Sequence, residues 1–303
     1  MAPRAILVTG SDGFVGHHLL ARLAADFPDA TIHPAAFDVT DAPAIDAAVA
    51  ALKPDACIHL AAIAAIAEAR DAPERAWDVN LGGTLSLARA LRRHVPDCAL
   101  LYVSSADAYG GSFSAGVPLD ESAPLAPMNT YGATKAAADL ALGAMARDGL
   151  RVVRLRPFNH TGPGQSEAFV VAAFARQVAR VAAGRQPPVL RVGTLDARRD
   201  FLDVRDVAAA YSLCLARADT LAPGTVLNVA SGEGRRIGDI LDALLALSGV
   251  QAAVETDTAR LRRAEIPLAA GNATLARDTL GWTPAVPWET TLRDVLQDWH
   301  GRV

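Results

Sequence analysis

Thr9-Gly10-Ser11-Asp12-Gly13-Phe14-Val15-Gly16 stands between a short apolar run, Ala5 to Thr9, and a segment whose apolar residues Val15, Leu19, Leu20 and Leu23 recur at helical spacing. The stretch reads as a strand turning through glycines into a helix. A helix start offers free N–H groups and the positive end of a dipole, which a phosphate reaches only where no Cβ stands in the way. Gly10 and Gly13 clear the turn, and Gly16 lets the helix close on the strand. The spacing is G-x-x-G-x-x-G, not the usual G-x-G-x-x-G, and the glycines alone also fit an ordinary strand-to-helix turn. Their place after a strand and at a helix start points to dinucleotide binding, with Gly10, Gly13, Phe14, Val15 and Gly16 around the pyrophosphate.

The pattern continues outward. Ala56 to Ala61, Ala99 to Ser104 and Arg151 to Arg156 read as further strands, with helices over 14–25, 73–93 and 130–147 between them. Pro73 after Asp71 is an entry signal for the second of these helices. Strands spaced by helices predict an α/β fold, a Rossmann-like doubly wound parallel sheet covered on both faces. Beyond Pro157, helices near 168–183, 204–217 and 237–248 and strands near Val189 to Val192 and Val226 to Val229 predict a smaller C-terminal α/β substrate lobe. The expected division gives 1–157, with about 189–222, to the dinucleotide-binding domain, and about 158–188 with 223–303 to the lobe.

An acidic residue about 20 positions past the glycine turn commonly holds the adenosine ribose. Asp38, followed by Val39, is the candidate. The segment 26–37 is short for a full strand–helix–strand passage, which leaves the adenine as an alternative contact for this pair. No Arg or Lys lies between Arg22 and Lys53 to clamp a 2′-phosphate, and the choice between NAD and NADP stays open.

Composition removes several other functions. The net charge of −4 and the scattering of arginines away from aromatics give no nucleic-acid groove. Cys57, Cys98 and Cys214 are widely spaced in apolar surroundings, so they read as buried free thiols rather than metal ligands or a disulfide framework. No metal site is expected. The N-terminal apolar run is too short for a signal peptide, and no membrane-length apolar stretch follows, so a cytoplasmic protein without membrane contact is expected.

Chemistry enters with Asn129-Thr-Tyr131-Gly-Ala-Thr-Lys135, which puts a phenol and an ammonium four residues apart on one helix face. A nearby ammonium favours the phenolate and lowers the tyrosine pKa, making it a usable acid or base. Tyr131 and Lys135 at this spacing also fit plain packing with a snorkelling amine. A third element, Ser104-Ser105 at the C-terminal end of a predicted parallel strand, decides for catalysis, because open α/β sheets bind ligands there. A hydroxyl at that point stabilises developing negative charge on the same oxygen.

With these elements in hand the chain resembles the extended short-chain dehydrogenase/reductases that act on nucleotide-sugars. The resemblance runs through the glycine turn, His59-Leu60-Ala61-Ala62, Asn80 in Asn-Leu-Gly-Gly-Thr, Ser105 to Gly110, and Tyr-Gly-Ala-Thr-Lys. It implies that Ser105 rather than Ser104 joins Tyr131 and Lys135, and that Asn80 completes a tetrad or bonds backbone within its helix. It also implies cofactor contacts from Leu60, Ala61, Ala62 and Pro157, besides Tyr131 and Lys135, and a homodimer through helices 73–93 and 130–147. In the second half, Arg156 to Gln165, Asp196 to Val204 and Leu261 to Glu265 are similar to GDP-4-keto-6-deoxy-D-mannose reductases, bacterial enzymes that make GDP-D-rhamnose. That similarity implies a GDP-sugar substrate, met by Ser105, Asp107, Asn159, Arg199 and Arg262. Arginine suits phosphate because its planar fork bonds oxygens in pairs.

Relatives on this scaffold also dehydrate or epimerise. The dehydratases follow the catalytic hydroxyl with an acid and base, typically Asp-Glu or Ser-Glu, to remove water across C5 and C6. Here Ala106 is apolar and Asp107 is one methylene shorter than Glu, which fits carbonyl reduction. Sugar 4-epimerisation needs the same triad and a permanently held NAD. A cofactor-sensing protein that has lost its chemistry is the alternative of another class, and such proteins commonly lose the Tyr or Lys that this chain keeps.

Overall fold

A computed structural model describes residues 3–258 and 266–303. The first half runs β1 (Ala5–Thr9), α1 (Phe14–Asp26), β2 (Thr31–Pro34), α2 (Ala42–Leu52), β3 (Ala56–His59), α3 (Ile66–Asp71) and α4 (Pro73–Trp77). A wide π-turn (Asp78–Gly83) leads straight into α5 (Thr84–His94), followed by β4 (Ala99–Val103), short 3-10 turns at Ala106–Ala108 and Gly110–Ala115, α6 (Thr130–Arg147) and β5 (Val152–Pro157). The second half carries β6 (Asn159–Thr161), α7 (Val170–Ala182), β7 (Val189–Val192), β8 (Arg198–Asp203), α8 (Val204–Ala216) and β9 (Val226–Val229). It ends with β10 (Gly234–Arg236), α9 (Ile237–Ser248), β11 (Ala253–Thr256), β12 (Leu268–Ala269), α10 (Thr274–Leu280) and α11 (Trp288–Arg302).

The main sheet has the order β2-β1-β3-β4-β5-β9 and is parallel throughout. Its strands alternate between two cores, as a sheet covered on both faces requires. Leu101 joins Leu19, Leu23 and Val207 on the α1 and α8 side, whereas Leu100 and Tyr102 join Ile45, Leu87, Leu91 and Leu142 on the other. A third core, built from α7, α9 and α11 around β7 and Phe201, holds the smaller lobe. The order reverses between β1 and β3, and that switch point opens the crevice at the carboxyl ends of the strands.

The expected division of the chain is corrected at two strands. Val189–Val192, assigned by pattern to the dinucleotide domain, pairs with β11 in the lobe. Val226–Val229, assigned to the lobe, pairs with β5 and closes the main sheet. The helix read as continuous over 73–93 is broken by the π-turn, and β2 and α2 add a strand and a helix not read from the pattern.

Candidate active site

The glycine turn fits a dinucleotide on steric grounds. Gly10 has φ +67°, and a Cβ there would lie 2.7 Å from Ala61 N, so the turn is pressed against the end of β3. A Cβ on Gly16 would lie 2.5 Å from both Gly10 O and Ser11 O, whereas one on Gly13 would meet Gly10 O at 3.2 Å. Gly13 caps α1 with no side-chain hydrogen bond, and the first turn has no acidic residue, which leaves the start of the helix open to an anion. Gly10→Ala costs about 1–3 kcal/mol of backbone strain, and the expected result is a loss of NADPH affinity of at least about tenfold by fluorescence titration.

The second half of the chain clasps this turn. The Phe14 ring stacks on His160 at 6.2 Å and meets His18 edge-on at 5.6 Å, while His18 Nε2 hydrogen-bonds Pro163 O at 2.9 Å. Asp38 lies beyond β2, whose end is followed by Ala35 and Ala36; its carboxylate accepts from Thr40 N at 2.9 Å and Thr40 Oγ1 at 2.8 Å. Val39 is held from behind, since a Cβ on Gly83 would sit 2.7 Å from its carbonyl oxygen.

Ser105, Tyr131 and Lys135 converge at the carboxyl end of β4. Asn129 caps α6 by accepting from Gly132 N at 2.8 Å, and a Cβ on Gly132 would sit 2.6 Å from Asp107 O. The turn after Ser105 is thereby pressed onto the start of the helix that carries Tyr131. The Ser105 hydroxyl stands beside the Tyr131 phenol, accepts from Asp107 N at 3.1 Å and donates to Asp107 Oδ2 at 3.5 Å. Lys135 is buried, donates from Nζ to Val103 O at 2.7 Å and stands 5.2 Å from the centre of the Tyr102 ring. Pro157 ends β5, the next strand of the sheet.

The electrostatics correct the expectation that Lys135 lowers the tyrosine pKa. Loss of solvent and the charge of Asp107 push Tyr131 above its ordinary value, with the neighbouring Ser105 hydroxyl working against them. That direction favours the neutral phenol, a proton donor. Burial pushes Lys135 down to about 7, opposed by the charge of Asp139. Below that pH the native chain buries a charge that the unfolded chain keeps in water; the penalty fades as pH rises from about 7 towards the ordinary 10.5. Lys135→Met is therefore expected to raise the midpoint of thermal unfolding, by more at pH 6 than at pH 9.

Asn80 does not reach the triad's functional groups. From the π-turn its Oδ1 accepts from Ile63 N at 2.8 Å, and its Nδ2 donates to Ile63 O at 3.1 Å and Thr134 Oγ1 at 2.9 Å. The backbone that Asn80 bonds belongs to the loop after β3 and not to its own helix. Leu60, Ala61 and Ala62 occupy that loop, beside the glycine turn.

Sequence reasoning missed a buried ion cluster under α6. Asp139 is fully buried and accepts from Arg154 Nη1 at 2.9 Å, Arg156 Nε at 2.9 Å and Arg156 Nη2 at 3.0 Å. Arg156 also donates to Tyr109 Oη at 3.0 Å, and Tyr109 donates to Asn228 Oδ1 at 2.8 Å. The signal was present: Asp139 is a carboxylate four residues past Lys135 on the same helix face.

The substrate candidates lie on the lobe side. Asn159 pairs in register with Phe201 and donates from Nδ2 to Asp200 O at 3.2 Å, which puts it two positions along the neighbouring strand from Arg199. Arg199 Nη1 donates to Ile266 O at 2.7 Å and Arg198 O at 2.8 Å. Arg262 lies outside the described residues. The three cysteines are buried and free, with thiol pKa values pushed upward by burial.

The model of the NAD dependent epimerase/dehydratase family matches residues 6–230, from β1 through the last strand of the main sheet. The chain belongs to this family. Within it, GDP-6-deoxy-D-mannose reductase of Pseudomonas aeruginosa is 40% identical over 301 residues, 98% of each chain. The solved structure of RMD from Pseudomonas aeruginosa complexed with NADPH superposes with a TM-score of 0.90 at 37% identity, covering 99% of this chain and 100% of that one. A UDP-glucose 4-epimerase of Azospirillum brasilense is 31% identical over 330 residues, 96% of this chain and 93% of its own. Among the described residues no three His, Cys, Asp or Glu side chains group to hold a metal, and no helix is long and apolar enough to cross a membrane.

Proposed function

We propose that the protein reduces the C4 keto group of GDP-4-keto-6-deoxy-D-mannose to give GDP-D-rhamnose, using NADPH or NADH. The observation that carries this reading is the Ser105 hydroxyl beside the Tyr131 phenol at the carboxyl end of β4, with burial and the charge of Asp107 pushing the phenol pKa upward. A reductase needs a proton donor where a carbonyl oxygen becomes an alkoxide. The full-length likeness to a GDP-6-deoxy-D-mannose reductase supports the substrate class.

When bound, the reduced dinucleotide supplies a hydride to C4. Tyr131 gives its phenolic proton to the C4 oxygen, and Ser105 donates a hydrogen bond to the same oxygen and polarises the carbonyl. Lys135 holds a ribose hydroxyl of the cofactor, and the glycine turn with Phe14 and Val15 holds its pyrophosphate. Asp107 keeps the phenol protonated and bonds a sugar hydroxyl, while Asn159, Arg199 and Arg262 bind the nucleotide and its phosphates. Ala106 leaves the turn after Ser105 without the second acid–base group that dehydration needs.

The protein works in the cytoplasm as a homodimer. Trp77 on α4 and Leu140 on α6, 37% and 60% exposed, support a partner face on these helices. The deciding experiment is NMR of the sugar after incubation with GDP-4-keto-6-deoxymannose and NADPH or NADH. Appearance of the rhamno product supports the reading; a talo product or an unchanged keto sugar refutes it.

A further inference from the structure

His59 carries no role in the chemistry above, yet it is 1% exposed and hydrogen-bonded through both ring nitrogens. Nδ1 lies 2.6 Å from Thr9 Oγ1 and Nε2 lies 2.9 Å from Thr84 Oγ1. Thr84 spends its single hydroxyl proton on Asn80 O at 2.7 Å, so it accepts from His59 Nε2–H. The imidazole is neutral, its pKa pushed down to about 3 by burial and the charge of Lys135, so Nδ1 accepts from the Thr9 hydroxyl. Thr9 Oγ1 in turn accepts from Ala61 N at 3.3 Å, the same N–H against which Gly10 is pressed.

The donors all point one way. Ala61 donates to Thr9, Thr9 to His59, His59 to Thr84 and Thr84 to the Asn80 carbonyl. The side-chain amide of Asn80, joined to that carbonyl only through the residue's own covalent bonds, donates from Nδ2 to Thr134 Oγ1, and Thr134 donates to Tyr131 O at 2.8 Å. On either side of Asn80 the buried hydrogen bonds in series polarise one another, Asn80 itself links the two segments as a rigidly held residue, and a break anywhere strands a desolvated group. One end of this chain is the glycine turn and the other is the backbone carbonyl of Tyr131.

We propose that His59 is a positioning residue that couples seating of the dinucleotide in the glycine turn to the placement of Tyr131, through Thr9, Thr84, Asn80 and Thr134. The coupling rests on the proposed cofactor site, but the tautomer of His59 does not. An ordinary core histidine would contribute to stability alone, and breaking its bonds would leave cofactor affinity unchanged.

The test is a double-mutant cycle on Thr9→Val and Thr84→Val, near-isosteric changes that break the chain on either side of His59. Nicotinamide fluorescence gives the NADPH dissociation constant, and steady-state rates give kcat. Thr84→Val, which leaves the glycine turn untouched, is expected to weaken NADPH about tenfold and to lower kcat by a similar factor. The double variant is expected within about twofold of the worse single variant, because either break removes the same chain. Losses that multiply, or a Thr84→Val protein that binds NADPH like the wild type, overturn the coupling. Wild-type protein that binds neither NADPH nor NADH counts against the proposed function and the coupling together. Long-range ¹H–¹⁵N spectra of the wild type without cofactor are expected to show His59 as the neutral Nε2–H tautomer from pH 5 to 9; the Nδ1–H form or a protonated ring overturns the relay whatever the ligand.

Discussion

Tyr131→Phe is expected to lower kcat by about 10²–10⁴-fold, the usual worth of a positioned proton donor. The substitution removes only the hydroxyl, so the half-buried ring keeps its packing against Ile63, Ala69 and Ala76. NADPH affinity should stay within about twofold, because the pyrophosphate cradle and Lys135 are untouched. Fluorescence titration beside steady-state kinetics separates the two quantities. Full turnover by the Phe variant would remove the phenol from the mechanism. A parallel loss of affinity would instead mean that the substitution had disturbed the site.

The largest effect on stability is expected at Asp139. Its carboxylate lies between Arg154 and Arg156, with side chains 15% and 5% exposed. Asp139→Ala leaves these guanidinium groups without their counter-charge, and breaking a buried pair from one side costs about 3–5 kcal/mol. Denaturant unfolding of the variant against the wild type measures that loss. Restoring part of it by adding Arg156→Met would identify the stranded charge as the cause; a change below about 1 kcal/mol would mean that water reaches the pair. The cluster ties α6 to β5, so the helix bearing Tyr131 and Lys135 is anchored from beneath by charge as well as by Ala138 and Leu142.

Local signals in the sequence reached far into this structure. The glycine turn stands where a strand gives way to a helix, and the helix read over 130–147 runs Thr130–Arg147. What escaped was set by partners distant in the chain. Val189-Leu-Arg-Val192 and Val226-Leu-Asn-Val229 differ only in their third residue, yet the first strand lies in the lobe and the second closes the main sheet. Their third residues are placed differently: Arg191 is exposed, whereas Asn228 is fully buried, accepting from Tyr109 and donating to Leu119 O and Asn272 O. Nothing in either four-residue string announces those partners. β2 is short and carries no fully buried residue, and α2 buries only Ile45 and Val49, so neither has the clear period that pattern reading needs. The electrostatics of Tyr131 were misjudged for a related reason. Sequence spacing revealed the neighbouring ammonium, and only the folded turn brings Asp107 to the phenol.

The π-turn at Asp78–Gly83 makes the helix before it and the helix after it rotationally out of step. An α-helix advances about 100° per residue, so a surplus residue swings everything downstream by roughly a quarter of a circle. That offset lets Asn80 face the loop after β3 while Leu87 and Leu91 still point into the sheet core. Trimming a single residue from the turn would regularise the helix and lose one alignment or the other, so chain length at this point is as tightly constrained as residue identity.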